Sequence, residues 1–187
     1  GSSSGNISIK NIIGGNKEKS HEISYELYLN EKLIDSFDDE NHTIKDVLLW
    51  DVDNPILYKL VSKLNSEYGE SVYETFFGFR TIRFEKEGFY LNDKKIKLVG
   101  LNRHQSYPYV GYAMPKAAQI DDANILKFEA GVNVVRTSHY PQDESFLNRC
   151  DEIGLLVINE IPGWQHISKN KAWRDQYYEN VKSMVIK

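Results

Sequence analysis

The stretch Val134-Val135-Arg136-Thr137-Ser138-His139-Tyr140-Pro141 passes from a β-branched run into guanidinium, hydroxyl, imidazole and phenol before a proline. Two other apolar runs end the same way. Lys97-Leu98-Val99-Gly100-Leu101 leads into Asn102, Arg103 and His104, and Leu155-Leu156-Val157-Ile158 leads into Asn159 and Glu160. Gathered at one mouth, these groups would suit a neutral polyhydroxylated ligand. Sugar hydroxyls pair with His, Asn and Arg, while aromatic rings cover the apolar face of the sugar. The same residue types admit a second chemistry, a metal centre drawn from His104, His139, Glu160 and His166, although their spacing matches no short metal signature.

For these groups to meet, the three runs must be neighbouring parallel strands. Segments of helical length separate them, so the order reads βαβαβ. Crossover helices place the C-terminal ends of parallel strands on one face, where α/β folds and barrels carry their sites. Ala117–Ala130 holds Ile120, Ala123, Leu126 and Ala130 at helical spacing, with Pro115 near its start and Gly131 placed for a left-handed cap. Phe146, Cys150 and Ile153 repeat that spacing before Gly154. A third helix runs from Ala172 through Trp173, Tyr177, Val181 and Val185.

Residues 6–84 follow a period of two instead, through Ile7 and Ile9, then Ile23, Tyr25, Leu27 and Leu29, then Tyr58 and Leu60, then Val72, Tyr73, Phe76 and Phe77. Short strands with polar turns predict an antiparallel β-sandwich. Asp35–His42 reads as a solvated loop and Asp53-Asn54-Pro55 as a turn. Phe84–Lys95 reads as a strand with a tight Asn92-Asp93 turn, which places the domain boundary after residue 84. Residues 85–187 are then the start of a (β/α)8 barrel. A closed barrel needs eight strand–helix units and typically ~250 residues. Three units leave a raw sheet edge, so the expectation is an incomplete barrel within a fragment of a longer protein. Gly1-Ser2-Ser3-Ser4-Gly5 reads as a linker or artificial start.

Of the 187 residues, 41% are hydrophobic and 27% charged, with a formal net charge of −4. Such a balance supplies no broad cationic field, which argues against nucleic acid or an anionic membrane surface as partner. No apolar run reaches membrane-spanning length and no secretory signal opens the chain, so a soluble, cytoplasmic protein is expected. The lone Cys150 suits the inner face of its helix as a packed, inert thiol.

From Trp50 to Lys187 the segments resemble family-2 glycoside hydrolases, most closely their β-galactosidase-like members. The resemblance is carried, in this order, by Gly78-Phe79-Arg80, Leu91-Asn92-Asp93-Lys94, Gly100-Leu101-Asn102-Arg103-His104, Val135–Pro141, Cys150–Val157 and Glu160-Ile161-Pro162-Gly163-Trp164. It implies a jelly-roll sugar-binding domain, an immunoglobulin-like sandwich and a TIM barrel, of which the last two match here. It further implies retaining hydrolysis of a terminal β-glycoside by an acid and a nucleophile, both glutamates, held ~5–5.5 Å apart. Neither glutamate has a counterpart in these residues. Both are expected beyond Lys187, and the chain alone is expected to be inactive. Asn159-Glu160 mimics the family's Asn-Glu acid but sits in the setting of the third strand rather than the fourth.

The resemblance assigns supporting roles to His104 and His139, which would bind sugar hydroxyls, and to Arg136, which would hold the nucleophile ionised. Asn102, Arg103, Glu160 and Trp164 complete the candidate set. Each has a plainer reading, as wall histidines, a structural ion pair, loop braces or a core tryptophan. Magnesium-binding members carry Glu and His two residues apart where this chain has Trp164 and His166, so no metal or other cofactor is expected. The partners implied are a β-galactoside or related carbohydrate, and a homo-oligomer or the remaining parts of the parent enzyme. A β-glucuronidase-type parent and a non-catalytic carbohydrate-binding or interaction module are the rivals.

Overall fold

Alternating apolar and polar residues build the first of two compact units, Gly1–Lys95, in a computed structural model that describes residues 3–14, 21–163 and 165–186. Its strands are β1 (Gly5–Ser8), β2 (His21–Leu29), β3 (Lys32–Phe37), β4 (Asn41–Ile44), β5 (Tyr58–Ser66) and β6 (Gly69–Phe77). An antiparallel sheet runs in the order β3-β2-β5-β6, and β1 pairs with β4 antiparallel. Tyr25 and Leu27 of β2 and Tyr58 and Leu60 of β5 pack in one core with Ile7, Ile44 and Val47. Asn30 and Glu31 join β2 to β3 with φ of 49° and 62°, as a two-residue hairpin matched to strand twist requires.

The tract Asp35–His42 is not one loop. Asp35, Ser36 and Phe37 finish β3, and Asn41 and His42 begin β4. Ser36 and Asn41 are exposed, whereas Asp35 and His42 are partly buried on the same faces as buried Phe37 and Ile44, and Phe37 stacks on the His42 ring, at 4.0 Å and 7°. His42 Nε2 lies 3.1 Å from Asp35 Oδ2. The opening residues are held too. Ser3 Oγ donates to the Val47 carbonyl at 2.6 Å, and a Cβ on Gly5 would stand 2.3 Å from the Phe79 ring. The Asp53-Asn54-Pro55 turn is closed by reciprocal Asp51 and Asn54 backbone bonds of 3.1 and 3.2 Å. A second small sheet, β7 (Ile82–Glu85), β8 (Gly88–Leu91) and β9 (Lys94–Ile96), includes the anticipated Asn92-Asp93 turn, with φ of 48° and 65°.

The second unit, Ile96–Lys187, contains β10 (Gly100–Arg103), α1 (Lys116–Asn124), β11 (Val134–Thr137), α2 (Glu144–Ile153), β12 (Leu156–Ile158) and α3 (Lys171–Ile186). The strands form a parallel sheet, β10-β11-β12, with Gly100 opposite Val134 opposite Leu156 and Asn102 opposite Arg136 opposite Ile158. Gly100 is required by close approach, because a Cβ there would lie 2.3 Å from the Val134 carbonyl oxygen. Helix α1 does not stay α-helical to Ala130. From Ile125 to Glu129 it widens into a π turn, in which Ala130 N–H donates to the Ile125 carbonyl at 2.9 Å. Gly131 then takes φ +68°. Helix α2 begins where the Asp143 carboxylate accepts from Ser145 N–H at 2.8 Å and ends at Gly154, φ +74°.

Ala123, Val132, Val135, Phe146, Cys150, Ile153 and Leu155 form the core between helices and sheet. Each large apolar side chain buried there contributes on the order of 1.5–3 kcal/mol. Burial pushes the Cys150 thiol up to about 12, with Asp151 adding in the same direction and Arg103 opposing it. The raised value means that this group favours the fold below the ordinary thiol range and that its contribution is lost as pH rises toward about 12. Native protein at pH 8 is therefore expected to react with a disulfide reagent more than a hundredfold more slowly than urea-unfolded protein. Equal rates would place Cys150 outside the core. Among the described residues no helix is long and apolar enough to cross a membrane.

Candidate functional site

The register of the parallel sheet decides which polar groups meet. Side chains alternate along a strand, so Asn102 and Arg136, paired across β10 and β11, point to one side, while Arg103 and Thr137, the next pair, point to the other. On the first side Arg136 makes a two-pronged ion pair with Glu160, just beyond β12. Its Nε donates to Oε1 at 2.5 Å and its Nη2 donates to Oε2 at 3.0 Å. His139 Nδ1 lies 3.3 Å from both Arg136 Nη2 and Glu160 Oε2. Its proton position decides whether it donates to the carboxylate or accepts from the guanidinium. Among the described residues, Arg136 Nη1 makes long contacts, 3.5 Å to Asn102 Oδ1 and 3.5 Å to Ser138 Oγ.

The pair is partly solvated, with side-chain exposures of 34% for Arg136 and 24% for Glu160. The His104 ring stands 5.3 Å from that of His139 at 77°, and Tyr140 lies 6.2 Å from His104. The Tyr140 hydroxyl accepts from Gln105 N–H at 3.0 Å, and burial raises its pKa against that hydrogen bond. The Ser138–His139 peptide is cis. Asn102, His104, Arg136, Ser138, His139 and Glu160 are thus linked by direct contacts at the C-terminal ends of three adjacent strands.

Arg103 is not part of that group. It is 5% exposed and turned among the helices. Its Nε donates to Asp122 Oδ2 at 2.9 Å, its Nη2 to Gln119 Oε1 at 2.7 Å, and its Nη1 to Gln142 Oε1. The guanidinium lies 3.9 Å from the centre of the Phe146 ring. It ties β10 to α1, to α2 and to the segment after β11. Asn159 also leaves the cluster, since its Oδ1 accepts from Thr137 Oγ1 at 2.9 Å. Thr137 is the contributor that the polar-tip pattern did not single out. Its fully buried hydroxyl also accepts from Glu160 N–H at 3.1 Å and so fixes the backbone from which the carboxylate projects.

Trp164 lies outside the described residues. His166 is exposed, and its N–H donates to the Gly163 carbonyl at 3.1 Å. Among the described residues no three His, Cys, Asp or Glu side chains gather as a metal-holding group. What the cluster offers is a fixed guanidinium, two imidazoles, a carboxamide and a carboxylate, all groups able to hydrogen-bond hydroxyls.

Known proteins share this arrangement of segments. The family model described as the TIM barrel domain of family-2 glycosyl hydrolases matches residues 82–184, and a second model of the same family matches residues 1–80. A β-galactosidase of Thermoanaerobacterium thermosulfurigenes is 50% identical over 188 aligned residues, covering 98% of this chain and 26% of the relative. A β-glucuronidase of Streptococcus agalactiae is 37% identical over 132 residues, covering 70% of this chain and 22% of the relative. The apo structure of Bacteroides uniformis β-glucuronidase 3 superposes with a TM-score of 0.84 at 32% identity, covering 97% of this chain and 24% of that one. The chain thus spans about a quarter of the length of these relatives. Both halves of the sequence match models of one family, and the chain belongs to family 2 of the glycosyl hydrolases.

Proposed function

We propose that residues 6–84 are an immunoglobulin-like sandwich and residues 85–187 the first three strand–helix units of the catalytic barrel of a retaining exo-β-glycosidase, β-galactosidase-like in its substrate. The observation that carries this reading is the two-pronged Arg136–Glu160 pair, with His139 against both partners and Asn102 within reach. His104 and His139 then receive sugar hydroxyls. Glu160 holds Arg136 by its Nε and Nη2 edge, which leaves Nη1, with its long contacts, toward the nucleophile carboxylate. A guanidinium there keeps a carboxylate ionised, as attack on an anomeric carbon requires. The acid and the nucleophile come from later barrel strands, so these 187 residues alone do not turn over.

A β-glucuronidase is the second reading, supported by the similarity to Bacteroides uniformis β-glucuronidase 3. Both are tested by replacing the matching quarter of the Thermoanaerobacterium thermosulfurigenes β-galactosidase with this chain and assaying 4-nitrophenyl β-galactoside and β-glucuronide. The expected result is cleavage of the galactoside by the chimera and none by the isolated chain above its His139→Ala control. A folded chimera with neither activity would remove the assignment, and preference for the glucuronide would change its sugar.

A further inference from the structure

The rings beside the polar cluster continue outward, away from its charged groups. His139 contacts His104, His104 contacts Tyr140, and Tyr140 meets Tyr112 edge to face, at 5.5 Å and 87°. Tyr112 belongs to the segment that follows β10, on the same end of the sheet as the polar cluster. The segment has a defined shape, because Tyr107 N–H donates to the Gly111 carbonyl at 3.0 Å and Gly111 N–H returns a bond to the Tyr107 carbonyl at 2.9 Å. That bridge presents three tyrosines to solvent. Tyr112 is 68% exposed, Tyr107 half exposed, and Tyr109, at φ +70°, fully exposed at the tip. Wet aromatic rings on a closed turn leave apolar area uncovered, and the ring row joins that area to the imidazoles of the cluster.

We propose that Tyr112, backed by Tyr140, is a stacking platform for the leaving-group sugar, so that the site is built for glycosides whose aglycone is itself a ring. The inference rests on the glycosidase reading above. A pyranose has an apolar C–H face that a tyrosine ring covers without needing a charged partner. The position fits the second sugar rather than the first. The guanidinium of Arg136, the carboxylate of Glu160 and the imidazole of His139 crowd one end of the row, and the rings of Tyr140 and Tyr112 form the other.

The test uses the chimera with two substrates of similar leaving-group chemistry, lactose and methyl β-galactoside. Tyr112→Ala is expected to lower kcat/KM for lactose about tenfold and for methyl β-galactoside less than twofold, with Tyr112→Phe close to native on both. A stacking contact of ordinary strength gives a loss of that size. Equal losses on the two substrates would make Tyr112 a brace for the loop, and no loss on either would mean that another part of the protein covers it. Either outcome overturns the platform alone. A native chimera that cleaves neither galactoside overturns the platform together with the reading it rests on.

Discussion

Arg103→Met is expected to cost about 3–5 kcal/mol of folding stability, read as a shift of the urea midpoint at unchanged slope. The methionine keeps a flexible stem against Phe146 but supplies no donors. Gln119, fully buried, and Gln142, nearly so, lose the N–H groups that their carbonyl oxygens accept from, and Asp122 loses its cation. The cost comes chiefly from those stranded acceptors, since a buried polar group without a partner keeps the whole penalty of having left water. The Asp122 side chain is about one-third exposed and recovers part of its hydration, which points to the lower end of the range. Adding Asp122→Asn to Arg103→Met should restore part of the loss. A cost below 1 kcal/mol for Arg103→Met would mean that the network contributes little to the fold.

The second large effect falls on chemistry instead of stability. In the chimera, Arg136→Lys is expected to lower kcat/KM for 4-nitrophenyl β-galactoside by about a hundredfold, within the range for losing one preorganised electrostatic contact. Lysine keeps the charge but loses the fork, and one ammonium cannot hold both oxygens of Glu160 while facing another carboxylate. Stability should move by less than about 1 kcal/mol, because the pair stands partly in water. Thermal melts beside the kinetics separate the two readouts. A loss under threefold would leave the Arg136–Glu160 pair as a surface contact with no part in turnover.

Much of this architecture was legible in residue order. The runs ending at Asn102, Arg136 and Ile158 are strands because β-branched and apolar residues stop at polar tips, and Gly154 ends its helix because only a left-handed residue closes that turn. Arg103 shows the limit of that reasoning. A polar tip reveals where a strand ends but not which face each tip residue takes, and the parity that separates Asn102 from Arg103 appears only once Asn102 is set opposite Arg136. Thr137 was hidden for the same cause, as a modest hydroxyl between two conspicuous side chains. In Asp35–Phe37 composition outweighed alternation, because an edge strand can carry a partly buried aspartate two residues before a phenylalanine that turns inward on the same face. The widening of α1 has no periodic signature, since Leu126 and Ala130 fit an ordinary helix equally well.

That widened stretch, Ile125–Glu129, has its own consequence for how this wall of the sheet tolerates change. A π turn holds one residue more than an α turn of similar rise, so residue count and geometry are uncoupled at that spot. Removing a residue there would let the ladder relax to regular spacing, leaving Ala123 upstream and Val132 downstream each anchored in the shared core. A one-residue deletion at this stretch is expected to be absorbed locally, at a distance in sequence from the segments after β10, β11 and β12 that carry the charged and aromatic groups.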